Sequence, residues 1–259
     1  APVGTIHTIS ATGSETSRSS VIKDDLDTQH KFGFMLEPCR PAFALMNPEW
    51  TMTLPAYQTA AGASDIFAHT VERYFAEGDC YLGDKFCEGL LRSVIKYAPI
   101  AINDPKNYDA HAELMLAGSF SHNDTTGLGR LGMDGSCHGL ETQVSGLFDT
   151  AHGAGLAVIM PAWMEFMIDT QEHIHQFVKF ATNVFDVEYD MQDPKGVALE
   201  GVKRFRAWLK EIGMPLTFKE LGVKKEDMQK LLDHTCKKDG SVGHHIPLNY
   251  DDVKRIFDS

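Results

Sequence analysis

The hydrophobic and polar positions change rhythm about fifty residues into the chain. From Val3 to Ser10 apolar and β-branched residues alternate, which predicts a strand running into a turn at Thr12-Gly13-Ser14. Val21-Ile22 and Phe43-Ala44-Leu45-Met46 are short runs bounded by turn residues or prolines and predict further strands. Pro38, Pro41 and Pro48 prevent a long helix in this part. From Thr53 onward the signals are helical. Thr53 is placed to cap a helix whose first turn holds Leu54 and Pro55, since a proline there forgoes an N–H that would be unpaired anyway. Asp193-Pro194 opens another helix, with Ala198, Val202, Phe205 and Leu209 as its apolar stripe and Gly213 and Pro215 closing it. Thr217 and Glu220 have capping-box spacing before a short helical turn, and Asn249 with Asp252 begins a final helix carrying Val253, Ile256 and Phe257. The pattern predicts a small α/β piece followed by a mostly helical domain.

Composition changes this picture little. The chain has 259 residues, 43% of them hydrophobic and 23% charged, which is ordinary for a globular protein with a substantial core. A formal net charge of −12 argues against nucleic acid or an anionic membrane as a partner. No apolar run reaches the length of a membrane span, and the first residues lack a signal-peptide pattern. The 5 cysteines form no CxxC pair, so free thiols in a reducing cytoplasm are expected. Cys137 adjoins a histidine, but neighbouring side chains point apart, and a buried free thiol is the better reading.

Four residues carry the candidate chemistry. Asp65 and His69 are spaced i, i+4, which on a helix places both on one face, one turn apart. His138 and His152 follow in Gly135-Ser136-Cys137-His138-Gly139 and Asp149-Thr150-Ala151-His152-Gly153. One carboxylate and three imidazoles suit a divalent transition metal such as iron or zinc. Each piece alone is weak, since a lone histidine is more often a hydrogen-bonded core or surface residue. His111, His122, His173, His175 and His234 are expected to be such surface or helix residues, and His244-His245 to lie in a loop. His122 is set apart only by preceding the Gly-rich approach to His138.

The order and context of these residues resemble the iron-containing (group III) alcohol dehydrogenases, especially the butanol dehydrogenase branch. The matching stretches are Ala11-Thr12-Gly13-Ser14-Glu15, Leu54-Pro55, and the run from Gly62 through Asp65 and His69 to Tyr74. After them come Gly129-Arg130-Leu131-Gly132-Met133-Asp134 and His152-Gly153-Ala154-Gly155-Leu156 through Pro161. The resemblance implies a mainly α fold of dehydroquinate synthase-like architecture. In it, residues 1–53 are a remnant of an α/β dinucleotide-binding domain and residues 54–259 an all-helical metal-binding, catalytic domain. It implies Asp65, His69, His138 and His152 as metal ligands and catalytic residues, with iron or zinc bound. Thr8, Thr12, Ser14, Lys31 and Leu54 fall where the family contacts NAD or NADP.

The implied function is a metal-dependent, NAD(P)-linked alcohol dehydrogenase or aldehyde reductase acting on small primary alcohols or aldehydes of the butanol and butyraldehyde type. With four protein ligands in place, the substrate oxygen would enter as a fifth. The family's Gly-rich pyrophosphate loop has no counterpart here; Gly127-Leu128-Gly129 is the nearest, in a region read as helical. The chain thus resembles the C-terminal two-thirds of a longer protein, and these residues alone are expected to be inactive. A second departure is Thr142, where many members carry a histidine near the substrate; threonine cannot titrate near neutrality, which puts a proton relay there in doubt. The alternatives are a non-catalytic helical metal-binding fragment and a dehydroquinate synthase-type lyase. Few basic residues flank the candidate ligands, which counts against the lyase. The resemblance leaves room for a homodimer.

Overall fold

A computed structural model describes residues 2–25, 28–170, 173–243 and 246–259, so Ala1 and the His244-His245 loop lie outside the described residues. The structure is mainly helical. Four short strands come first: β1 (Gly4–His7), β2 (Ser19–Lys23), β3 (Lys31–Met35) and β4 (Phe43–Met46). β1 pairs parallel to β4, and β2 and β3 form an antiparallel hairpin. β1 is shorter than the alternation from Val3 to Ser10 predicts, because β4 offers only four partners, Phe43 to Met46. β3 had no expectation in the sequence reading: Lys31-Phe32-Gly33-Phe34-Met35 carries a glycine at its centre and is held by pairing with β2.

Nine α-helices follow among the described residues. They are α1 (Ala56–Tyr74), α2 (Tyr81–Asn103), α3 (Tyr108–His122), α4 (Ser136–Phe148), α5 (His152–Thr170), α6 (Ile174–Phe185), α7 (Pro194–Glu211), α8 (Met228–Thr235) and α9 (Tyr250–Phe257). α1 starts later than the expected cap at Thr53. Its N-cap is Pro55 and makes no side-chain capping bond. The reason is steric: a proline disfavours helical geometry at the residue before it, so Leu54 cannot join the first turn. Gly127-Leu128-Gly129 likewise forms no α-helix: the 3₁₀ turn Thr125–Gly127 ends at Gly127, Leu128 is extended, and Gly129 turns the chain at φ +73°.

α7 and α9 form as the sequence predicts, whereas no expectation covered α8. Asp193 caps α7 by accepting from the Gly196 N–H at 2.8 Å. At the other end the Gly213 N–H donates to Lys210 O (3.0 Å) and the Met214 N–H to Leu209 O (2.9 Å), with Gly213 at φ +79°. That is the paired bonding of a Schellman stop. Ala198, Val202, Phe205 and Leu209 are all buried. Asn249 and Asp252 make the reciprocal bonds of a capping box at the start of α9. Thr217 to Glu220 make one turn, in which Glu220 reaches back to the Leu216 N–H at 2.7 Å.

α1 and α5 are the central helices. Every residue of α1 from Thr59 to Tyr74 is buried, and α5 is apolar nearly all round, as a helix enclosed by others must be. Phe67 of α1 stacks on Phe205 of α7 (ring centroids 4.5 Å, 14° between planes) and meets Phe180 of α6 edge-on. This apolar packing holds α1 in place, and α1 carries two of the four candidate ligands.

Candidate metal centre

The Asp65 and His69 side chains leave α1 one turn apart, as their spacing predicts. Gly135, at φ +74°, turns the chain into α4, so that His138 lies in its first turn. Asp149, at φ +52°, ends α4, and His152 is the first residue of α5. The start of α5 sits directly on α1: a Cβ on Gly153 would overlap the Ala61 carbonyl, and Ser64 Oγ donates to Gly153 O at 2.7 Å. Only glycine permits so close a backbone approach.

Three helices thereby bring four side chains around one point. Asp65 Oδ1 lies 3.4 Å from His69 Nε2, 3.7 Å from His138 Nε2 and 3.5 Å from His152 Nε2. Asp65 Oδ1, His69 Nε2 and His138 Nε2 are buried yet make no hydrogen bond among the described residues. Unpaired buried polar atoms are costly, and clustered acceptors that avoid one another's hydrogen-bonding geometry fit a shared cation. The spacing agrees: two atoms each about 2.1 Å from a tetrahedral cation stand about 3.4 Å apart. Asp65, His69 and His138 offer atoms all within 4.8 Å of one another. His152 joins them through Asp65, and its side chain, 29% exposed, is the open edge of the cluster.

Two carboxylates that the sequence reading did not single out fix the imidazoles from behind. Glu72 hydrogen-bonds His138 Nδ1 through Oε2, and its Oε1 accepts the backbone N–H groups of Cys137 (2.7 Å) and His138 (3.3 Å). Glu141 hydrogen-bonds His152 Nδ1. Each contact directs the opposite nitrogen, Nε2, towards Asp65, the arrangement that carboxylates impose on metal-binding histidines. The Glu72 and Asp65 charges, outweighing a burial that acts the other way, push His138 up to about 10. Burial, with His138, His122 and Arg73 nearby, holds His69 well below its ordinary value and keeps it neutral.

Two histidines expected at the surface or on helices without a role are buried. His111 pairs its Nδ1 with Thr51 Oγ1 at 2.7 Å. His122 pairs Nδ1 with Ser17 Oγ at 2.7 Å and meets the His69 ring edge-on at 4.1 Å. Burial holds His122 down to about 3, with Arg73 and His138 acting in the same direction. Cys137 is fully buried and free, and burial pushes its thiol up, so it serves as core beside the site.

Asp65 and His152 open onto a cleft of about 790 Å³, lined also by Thr12, Tyr57, Gln58, Phe148 and Leu221. No lysine or arginine lines it among the described residues. Thr12 and Ser14 are exposed on a turn, and Gly13, at φ +60°, packs against the Gly118 carbonyl. Buried Glu15 anchors that turn by pairing with His7 Nδ1 (3.0 Å) and accepting from Ser119 Oγ. Of the five positions expected to contact cofactor, only Thr12 lines the cleft. Thr8 is exposed beyond β1, Ser14 bonds Thr12, and Leu54 is half-buried in the turn before α1. Lys31 Nζ instead donates to Ser145 Oγ of α4 at 2.8 Å. Thr142 Oγ1 donates to Gly139 O at 3.1 Å and so spends its one proton within its own helix.

Known proteins resemble this chain over nearly its whole length. Residues 59–259 match the model described as Fe-containing alcohol dehydrogenase family, C-terminal. The chain is 36% identical over 259 residues to NADH-dependent butanol dehydrogenase A of Clostridium acetobutylicum, covering 99% of this chain and 65% of that protein. It is 30% identical over 263 residues to the NADPH-dependent aldehyde reductase YqhD of Escherichia coli, of which it covers 66%. Among solved structures, NADH-dependent butanol dehydrogenase A of Thermotoga maritima superposes with a TM-score of 0.92 at 33% identity, over 99% of this chain and 65% of that one. The chain thus spans about 65% of the length of these butanol dehydrogenases.

Proposed function

The chain belongs to the iron-containing alcohol dehydrogenase family, and on that premise we propose that its protein is a metal-dependent, NAD(P)-linked alcohol dehydrogenase or aldehyde reductase for small primary alcohols or aldehydes. The observation that carries this reading is the convergence of three imidazole nitrogens on Asp65 Oδ1 beside an open cleft. We assign Asp65, His69, His138 and His152 as ligands of iron or zinc. A divalent ion there supplies Lewis-acid polarisation of an alcohol or carbonyl oxygen. The residues of this chain do the rest. Glu72 and Glu141 each hold an imidazole by its Nδ1 and turn its Nε2 towards Asp65. The buried walls from α1 and α5 exclude water on one side, and the partly exposed His152 marks where substrate enters. Tyr57, Phe148 and Leu221 give the cleft an apolar lining suited to a short alkyl chain.

Residues 54–259 are proposed as the metal-binding, catalytic domain and residues 1–53 as the edge of a cofactor domain, with Thr12 facing the cleft. The relatives are named for NADH and NADPH alike, so the nicotinamide cofactor is assigned only as NAD(P). The free cysteines support a cytoplasmic setting, and no helix of the described residues is long and apolar enough to cross a membrane. The absence of basic residues from the described cleft lining disfavours a lyase acting on an anionic substrate. To test the assignment, metal content and butanol-dependent reduction of NAD(P) are measured for the full-length protein and its Asp65→Asn variant. Loss of both with folding preserved is expected. An Asp65→Asn protein that keeps its metal and its turnover rules the assignment out.

A further inference from the structure

The two carboxylates behind the candidate ligands are neutralised in different ways. Glu72 is held by the first turn of α4, accepting backbone N–H groups from Cys137 and His138, so a helix N-terminus balances its charge. Glu141 has no such support. Its side chain is fully buried, and its Oε1 has no hydrogen-bond partner among the described residues. Gly155 leaves room for it, since a Cβ there would stand 2.5 Å from Oε1. Its Oε2 takes His152 Nδ1 and the Ser145 hydroxyl, the latter at 3.3 Å. Ser145 in turn accepts from Lys31 Nζ at 2.8 Å.

Hydrogen-bond chemistry gives this chain one direction. An ammonium only donates, so Ser145 Oγ must accept from Lys31 and turn its own single proton away. Among the described residues the acceptors within reach of that proton are both on Glu141: Oε2, and the backbone carbonyl at 3.4 Å. Glu141 Oε2 pairs with His152 Nδ1, which turns His152 Nε2 towards Asp65 Oδ1 at 3.5 Å. A buried carboxylate is stable only when paired, and Lys31 supplies the cation that stands behind this one. Lys31 opens β3, and the hairpin meets α4 at two further points. His30 Nδ1 pairs with Gln143 Oε1 at 2.8 Å, and the Gln29 carbonyl closes over Gly146.

We propose that Lys31 is a positioning residue for His152, acting through Ser145 and Glu141, so that the β2–β3 hairpin sets the geometry of the metal ligand furthest from the core. This rests on the metal assignment made above. The test is cobalt(II) binding to the full-length protein, read as affinity by competition with a chromophoric chelator and as the visible ligand-field spectrum. Glu141→Gln is expected to lower affinity about tenfold to a hundredfold. Lys31→Met and Ser145→Ala are expected each to weaken binding severalfold and to shift the cobalt bands the same way. Their double variant should be no worse than the poorer single one, because both break one chain. Lys31→Arg, which keeps a donor for Ser145, should restore the parent spectrum. Lys31 lies on a solvent-facing hairpin, so its replacement leaves the helical fold intact and the readout interpretable. Parent-like affinity and spectrum in Lys31→Met, or full additivity in the double variant, overturns the proposal. If instead Asp65→Asn and His138→Ala bind cobalt as tightly as the parent, the metal assignment itself falls, a result that cannot be confused with failure of the relay.

Discussion

Glu72 and Glu141 show why residue spacing reveals ligands more readily than it reveals what holds them. Each glutamate follows a candidate ligand by three residues, Glu72 after His69 and Glu141 after His138, so helical spacing alone would pair them within their own helices. The fold pairs them crosswise instead, Glu72 with His138 and Glu141 with His152. Those contacts exist only once α1, α4 and α5 have packed, and no local pattern announces them. Asp65 and His69 were legible because both sit on one helix. The burial of His111 and His122 was not, since it depends on Thr51 and Ser17 arriving from distant turns. Gly155 gives a residue-scale prediction. Replacing a helical glycine by alanine ordinarily gains about 1 kcal/mol. Here the new methyl meets a fully buried, fixed carboxylate at 2.5 Å, and overpacking of that kind costs about 1–3 kcal/mol. Gly155→Ala should therefore be net destabilising in urea unfolding and should weaken cobalt binding by displacing Glu141. A stabilised variant with parent-like binding would show that Glu141 has room to move.

At the scale of elements, the contact between α1 and the start of α5 is the joint on which the site depends. Asp65 and His69 ride on one helix and His152 on the other, and Gly153 lies against the Ala61 carbonyl. That neighbour is backbone in the buried stretch of α1, so it cannot give way as a side-chain tip would. Gly153→Ala should force the helices apart and cost about 2–3 kcal/mol, at the upper end of overpacking penalties. It should also reduce metal affinity more than Gly155→Ala does, because it moves two ligands relative to a third. Denaturation midpoints and cobalt titrations of the two variants side by side check the ranking. Elements with their own punctuation were legible in the sequence: α7 between Asp193 and Gly213, and α9 behind its Asn249 and Asp252 cap. Those without it were not. β3 depends on pairing with β2 across a central glycine, and α1 begins only after Pro55 because of a local steric rule that a cap-based reading at Thr53 overlooks.

For the whole molecule, the question is whether the metal is needed to build the helical fold or only binds to it. Phe67, Phe75, Phe177, Phe180, Phe205 and Trp208 form a continuous aromatic core from α1 and the residue that ends it to α6 and α7, and it owes nothing to the ligand cluster. The four proposed ligands sit on helices that this core, the α7 stop and the α9 cap already fix. The fold should therefore persist without metal, and metal should add stability by mass action alone. A ligand at a hundred times its dissociation constant adds about 2.7 kcal/mol, which for a chain of this size is roughly 5–11 °C in melting temperature. Zinc or cobalt should raise the melting temperature by that order, and a chelator should return it to the metal-free value with the helical circular dichroism unchanged at 25 °C. Asp65→Asn should abolish the shift, because it removes the only anion among the four proposed ligands. Loss of helicity on chelation would make the metal a structural element of the fold. A shift that survives Asp65→Asn would place the bound ion somewhere other than among these four side chains.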